Sequence, residues 1–294
     1  MEIPAIHPNW ARAPMSMTDG YSLEMIAKDR PVLRAAAPKL APETPIAITF
    51  LPNESMEDRV AAAIEVRRLG FEPMPHLSAR RIASHAELEG VVARTVAEAG
   101  VKRVFLVAGD PPVPAGPFAD TMDLLATGVF ERNGIQAVGV AGHPEGHPAM
   151  DEGERWRWLE TKHADIAARG MATLIVTQFG FGAAPFIAWL KELRRRGLDM
   201  PVRIGVPGPA GVKTLLRFAA RCGVGASAAV MAKYGVSLTS LIGSAGPDVL
   251  VDEFAKAGLA TEYGPVRLHF YPFGGFERTV EWINAYEKKR QSDA

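Results

Sequence analysis

Two histidines and a glutamate fall within five residues in His143-Pro144-Glu145-Gly146-His147-Pro148. Imidazole and carboxylate are usual zinc ligands, so this cluster could hold a metal ion. Pro144 and Pro148 prevent a regular helix, which removes the i, i+4 geometry of a helical histidine pair. A catalytic metal would then recruit Asp110, Glu24 and His76 from elsewhere in the chain. The alternative is a loop that hydrogen-bonds a large polar cofactor, and residue types alone leave both readings open. Glu24, Thr49, His76, Gly109-Asp110, Gln178 and Tyr271 are the other polar candidates, each beside a short apolar run. Each has an ordinary structural use as well. Glu24 suits a solvated turn, His76 a core position bonded to backbone, Asp110 a turn cap before Pro111, and Gln178 a strand end. Their recurrence at the ends of successive apolar runs is the informative feature.

Those runs alternate with amphipathic stretches along the chain. Strands are expected at residues 21–25, 45–50, 71–77, 103–107, 137–141, 173–177, 202–206 and 267–271. Helices are expected at 58–69, from the Ser84-x-x-Glu87 capping box to Gly100, near 121–131, at 151–169, around Phe186–Leu193, at 212–220 and around 277–289. The 27–43 link is Pro-rich and only weakly helical. Dividing 294 residues by eight gives about 37 per unit, which suits a (β/α)8 TIM barrel of about 250 residues plus insertions. An open doubly wound sheet normally carries a Gly-rich fingerprint at its first turn, and none is present. The expected organisation is therefore one α/β domain, a (β/α)8 barrel over 1–294. It has an N-terminal extension at 1–20 and a mostly helical insertion at about 226–258. In such a barrel, ligands bind at the carboxyl ends of the strands.

Composition narrows the partners. Thirty-three basic and 33 acidic side chains give zero net charge, without the electrostatic footprint of a nucleic-acid binder. Cys222 is the single cysteine, so an intrachain disulfide and a Cys-rich zinc site are both excluded. No apolar stretch approaches the roughly 18–20 residues needed to cross a bilayer, and no signal-peptide pattern opens the chain. A cytoplasmic protein acting on a small molecule is expected, with no membrane partner. Apolar helix faces around Trp156, Trp158 and Trp189 leave room for a homo-oligomer.

Six fragments, in order along nearly the whole chain, resemble the methylenetetrahydrofolate reductase family, a flavin-dependent (β/α)8 barrel. Ser22-Leu23-Glu24 is similar to the family's Ser-Leu/Phe-Glu, and Pro75-His76-Leu77-Ser78 to its Pro-His-Leu-Thr. Gly109-Asp110-Pro111-Pro112 resembles its Gly-Asp-x-Pro, and the 143–148 loop its Tyr-Pro-Glu-x-His-Pro. Thr177-Gln178-Phe179 and His269-Phe270-Tyr271 match its Thr-Gln-Phe and His-Phe-Tyr. The resemblance implies interconversion of 5,10-methylene- and 5-methyltetrahydrofolate, with FAD as cofactor, NADH or NADPH as redox partner, and no metal. It implies Glu24 as general acid, with Asp110 beside the flavin and the pterin. Thr49, His76, Gly109, Asp110, His143, Glu145, His147 and Lys162 would hold the flavin, and Gln178, Phe179 and Tyr271 the folate. A desolvated pocket would raise the Glu24 carboxyl. The chain departs from the family pattern at Ala108, where the pattern has arginine, and at His143, where it has tyrosine. It departs also at Met25-Ile26-Ala27-Lys28 in place of a double proline, and at Pro272–Phe276, where a folate-holding arginine is usual. The competing reading is a metal-dependent hydrolase on the same barrel, using His76, His143, His147 and Asp110.

Overall fold

The computed structural model of the protein describes residues 16–52, 54–225 and 244–292. Eight parallel strands close into a barrel: β1 (Ser22–Ile26), β2 (Pro45–Thr49), β3 (Glu72–Ser78), β4 (Arg103–Val107), β5 (Ala137–Gly142), β6 (Ala172–Phe179), β7 (Val202–Pro207) and β8 (Val266–Tyr271). Each pairs with its sequence neighbours, and β8 closes the ring on β1 with Ser22 opposite His269. The expected (β/α)8 barrel is the observed architecture, with strand bounds shifted by at most two residues.

Alternation along these strands separates two apolar layers. Ala47, Met74, Phe105, Leu174 and Val176 form a small inner cluster. Leu23, Ile46, Ile48, Leu77, Val104 and Val138, at the other parity, join the large cluster that packs under the helices. Two glycines make the inside fit. A Cβ at Gly139 would lie 2.5 Å from the Phe105 ring, which fills the barrel below His76 at a centroid distance of 4.7 Å. A Cβ at Gly205 would lie 2.5 Å from the Gln178 carbonyl oxygen. That close approach follows from an irregular register between β6 and β7, in which Val176 pairs with Arg203 but Phe179 with Gly205. The extra β6 residue is a bulge of the kind that re-aims side chains next to sites.

The helices are α1 (Arg30–Ala36), α2 (Met56–Arg68), α3 (His85–Ala99), α4 (Thr121–Ala126), α5 (Val129–Arg132), α6 (Glu152–Ala168), α7 (Ala183–Arg195), α8 (Val212–Cys222), α9 (Asp248–Lys256), α10 (Leu259–Glu262) and α11 (Phe276–Ser292). Ser84 caps α3 by accepting from the Glu87 amide at 3.1 Å, but the Glu87 carboxylate accepts from Ala83 rather than Ser84. The helix expected near 121–131 divides in two, because Gly128 takes a left-handed conformation at the start of α5.

The stretch after β7 differs most from expectation. Residues 226–243 of the expected insertion lie outside the described residues. The helix that closes the barrel wall beyond β7 is α9, with Phe254 packed edge-on to Phe186 of α7. Instead α8 lies over the carboxyl ends of the strands. Its Phe218 stacks on Phe273 at 4.1 Å, its Arg221 reaches Asp110 after β4, and Gly223 abuts Pro148 after β5. Of the tryptophans expected on open helix faces, Trp156 is 5% exposed and stacks on Trp189 across α6 and α7, while Trp158 is half-buried.

Candidate functional site

Three strands bring one glutamate between two histidines. The Glu24 carboxylate on β1 lies 3.9 Å from His76 Nε2 on β3 and 3.8 Å from His269 Nε2 on β8. Parity explains the meeting: Ser22 and Glu24 share one face of β1, and Arg267, His269 and Tyr271 share one face of β8. On its far side the His269 ring meets the Ser22 hydroxyl at 2.8 Å through Nδ1. Thr49 Oγ1, at the end of β2, is buried and faces the Glu24 carboxylate, with no closer partner among the described residues.

The electrostatics differ from the sequence expectation. Burial does push the Glu24 carboxyl up. The His269 and His76 imidazoles, with help from Thr49, pull harder and leave it below its ordinary value. Burial pushes His76 down to about 4 despite the attraction of Glu24. Burial likewise lowers His269, again against the pull of Glu24. At neutral pH the group is thus a carboxylate held between two uncharged imidazoles.

Asp110 stands apart from this trio. It is 59% exposed at the mouth, bonded to Arg81 and, at 3.3 Å, to Arg221 of α8. Burial is the largest single influence and pushes its carboxyl up, but Arg81, its own backbone amide and Arg221 together outweigh it and hold the carboxyl low. Gly109 beside it has φ +94°, and any Cβ there would collide with the Ser78 hydroxyl, which is itself buried without a partner.

A second cluster forms where β5 meets α6. The His143 and His147 rings meet edge to face at 4.9 Å. Burial, then His147, Lys162 and Arg155, drives His143 down to about 3. Burial, Arg155 and Lys162 lower His147. Burial also lowers Lys162, with Asp120 opposing. The Glu145 backbone N–H donates to Gln178 Oε1 at 3.2 Å, which ties this loop to the β6 bulge. Burial raises the Glu145 carboxyl.

The folate candidates separate into lining and support. Gln178 is half-buried at the bulge. Tyr271 donates its hydroxyl to the Thr177 carbonyl at 2.9 Å and sets its ring edge-on to His269 at 4.8 Å. Phe179 is only 2% exposed, packed among Phe181, Tyr271 and Phe273, so its ring supports the wall rather than facing the pocket. The metal set His76, His143, His147 and Asp110 does not converge, since each belongs to a different one of the groups above except the loop pair. Among the described residues, no group of three or more His, Cys, Asp or Glu is arranged to hold a metal ion. No described helix is long and apolar enough to cross a membrane. His269 and Ser22 are the residues a reading by motif undervalued; the period-2 parity of β1 and β8 was the available signal.

Fold and site together define a (β/α)8-barrel protein whose polar groups gather at the carboxyl ends of its strands. The sequence profile of the family "Methylenetetrahydrofolate reductase" matches residues 37–272, and the chain belongs to that family. Among its relatives is methylenetetrahydrofolate reductase 2 of Saccharomyces cerevisiae, 29% identical over 56% of this chain and 27% of the yeast protein. Methylenetetrahydrofolate reductase (NADH) 1 of Arabidopsis thaliana is 28% identical over 44% of this chain and 24% of the plant protein. The chain thus matches about a quarter of the length of these relatives. A solved structure of a Clostridium thermocellum protein, described as binding two copies of 5-methyl-5,6,7,8-tetrahydrofolic acid, shares the fold. Its TM-score is 0.62 at 12% identity, over 95% of this chain and 97% of that one.

Proposed function

We propose that this protein is an oxidoreductase interconverting 5,10-methylenetetrahydrofolate and 5-methyltetrahydrofolate, with FAD as cofactor and NADH or NADPH as redox partner. The observation that carries the reading is Glu24, half-buried and flanked by His76 and His269 in a chain of this family. The names of the plant relatives favour NADH of the two nicotinamides.

The residues present fit a flavin dinucleotide. Ser78 offers a buried hydroxyl without a partner among the described residues beside Gly109, and Thr49 a buried hydroxyl beside Glu24, both suited to the polar edge of a ring system. Lys162 and Arg155 offer positive charge, and the uncharged rings of His143 and His147 one N–H donor each, a set suited to a diphosphate. When bound, the flavin supplies hydride chemistry at the pocket. The chain's own work is to place the folate and move one proton. Glu24, which rests as a carboxylate, takes a proton from water and passes it to the bridge nitrogen that departs when the methylene ring opens; in the reverse direction the carboxylate accepts that proton and returns it to water. Gln178 has both donor and acceptor atoms for successive ligands at one place. Asp110, at the mouth, would accept from pterin N–H groups once released from its arginines.

The test is the visible spectrum of the protein reconstituted with FAD. NADH should bleach the flavin bands and 5,10-methylenetetrahydrofolate should restore them. A protein that neither binds flavin nor turns over folate would overturn the reading.

A further inference from the structure

We infer that His269, with its ring fixed by Ser22, is a positioning residue that donates its Nε2 hydrogen toward Glu24 and holds that carboxylate ready between turnovers. The inference concerns the acid of the function proposed above and rests on that reading for its catalytic consequence, but not for the geometry.

The arrangement starts in the register. Ser22 and His269 are directly paired residues of β1 and β8, the pair of strands that closes the barrel. Their side chains point to the same interior, so a hydroxyl is delivered to the imidazole at 2.8 Å with both groups fully buried. A neutral imidazole carries one hydrogen. When the Ser22 hydroxyl donates to Nδ1, the hydrogen sits on Nε2, and Nε2 is the atom 3.8 Å from the Glu24 carboxylate. The Tyr271 ring stands edge-on against His269 and limits its rotation. Among the described residues His76 has no such bonded partner: its ring leans on Phe105 at a tilt of 39°, a surface without a hydrogen-bonding atom. The two histidines beside Glu24 are therefore unequal, one oriented through a bonded serine and the other through packing.

All the charged and titratable neighbours bear on this. Glu24 faces His76 from β3, His269 from β8, the Thr49 hydroxyl from β2, and feels Cys222 from α8 and Tyr271 from β8. His269 faces Glu24, and Arg203 of β7 adds a like-charge push against its protonation. Arg203 donates to the Gly20 and Leu268 carbonyls, so its charge is fixed in place below the imidazole. An imidazole kept uncharged by burial and by Arg203 cannot pair with Glu24 as an ion. It acts as an N–H dipole aimed at the carboxylate from 3.8 Å, just beyond hydrogen-bond length, and that dipole stabilises the carboxylate formed when Glu24 gives up its proton.

The test follows the Glu24 carboxyl directly, by 13C NMR titration of protein labelled at glutamate Cδ, with the Glu24 signal assigned by its loss in Glu24→Gln. Ser22→Ala and His269→Leu should each move the Glu24 midpoint up by about one pH unit, because a donor to the charged form is lost. His269→Gln, which keeps a side-chain donor, should restore a midpoint close to the parent. In 15N-histidine spectra, Ser22→Ala should reduce the Nε2-protonated form of His269. A Glu24 midpoint unmoved by Ser22→Ala, or moved as far by His269→Gln as by His269→Leu, overturns the inference. Ser22→Ala removes one oxygen only, so it keeps the test alive if His269→Leu does not fold. The titration needs no turnover: the expected shifts in a protein without folate activity would sustain this network while overturning the function.

Discussion

Each of two regions of this barrel holds two histidines and one glutamate, and they behave differently. In the first, Glu24 lies between His76 and His269, all three borne on strands and facing the barrel interior. In the second, His143 and His147 meet each other, Lys162 and Arg155 lie close, and Glu145 is occupied through its backbone with Gln178. Burial acts on both sets, lowering every histidine. Only the neighbours differ. Glu24 is pulled down by imidazoles, whereas burial raises Glu145. The same three side-chain types therefore meet opposite surroundings, which suits the proton-handling role proposed for the first region and the anion-receiving role proposed for the second.

Exchanging the two glutamates for glutamine is the sharpest way to break that comparison. Glu24→Gln should reduce folate turnover by about 10²–10⁴-fold, the usual contribution of a positioned acid, while flavin reduction by NADH stays near normal. Glu145→Gln should cost no more than a few-fold. Stopped-flow measurement of the two half-reactions separates these outcomes. Equal losses from both variants would mean that the regions do not divide the labour.

Acid stability tests the share of burial. His76 titrates near 4 in the fold and about 6.5 when unfolded, and His143 near 3. Between those values the unfolded chain takes up protons that the folded one refuses, so stability is fully present above about pH 6.5 and declines as pH falls toward 4. Each such histidine adds up to about 1.4 kcal/mol per pH unit within its window. Glu24 acts in the same direction: its lowered carboxyl stabilises the fold above the ordinary carboxylate value and ceases to as pH falls through its own midpoint. Urea midpoints at pH 7.5, 6 and 5 should therefore drop steadily, and His76→Asn should flatten the slope. A level profile from 7.5 to 5 would contradict the buried, neutral histidines.

Much of this was legible in the residues. The eight strands announced themselves because a parallel barrel strand must be apolar on both faces, and runs such as Arg103–Val107 leave little choice. Polar exceptions at their ends located Glu24, His76 and Gln178. What could not be read was tertiary. The β6 bulge depends on Gly205 of the next strand yielding space, a relation between residues 26 positions apart at the nearest. The path of α8 over the mouth depends on Phe218 finding Phe273 and Arg221 finding Asp110, and helical periodicity is the same on a wall or a lid. The direction of the Glu24 shift was misjudged for the same reason. Burial was inferable from the strand, but the two imidazoles that outweigh it come from strands 52 and 245 residues away along the chain.

The anion-receiving half is tested by Lys162→Ala. A hydrogen bond to a charged group contributes about 1.5–3 kcal/mol, so flavin affinity should weaken by about 10–100-fold. Fluorescence titration of flavin measures it, and kcat at saturating flavin should change little. A loss of kcat that saturating flavin does not repair would move Lys162 into the chemistry and blur the two regions.

The smallest effect sharpens the comparison from outside it. Asp110 and Arg221 carry full opposite charges at 3.3 Å, closer than Glu24 lies to either histidine, yet their side chains are 59% and 67% exposed. Water and salt screen such a pair, and exposed ion pairs are typically worth 0.2–1 kcal/mol. The lid helix has a firmer hold in the Phe218–Phe273 stack and in the buried Leu215 and Ala219. Arg221→Ala should accordingly shift the thermal midpoint by no more than a degree or two in moderate salt, and Phe218→Ala by clearly more. If Arg221→Ala proved the costlier of the two, proximity of charge rather than burial would govern this end of the barrel. The contrast between the two histidine clusters would then need a different cause.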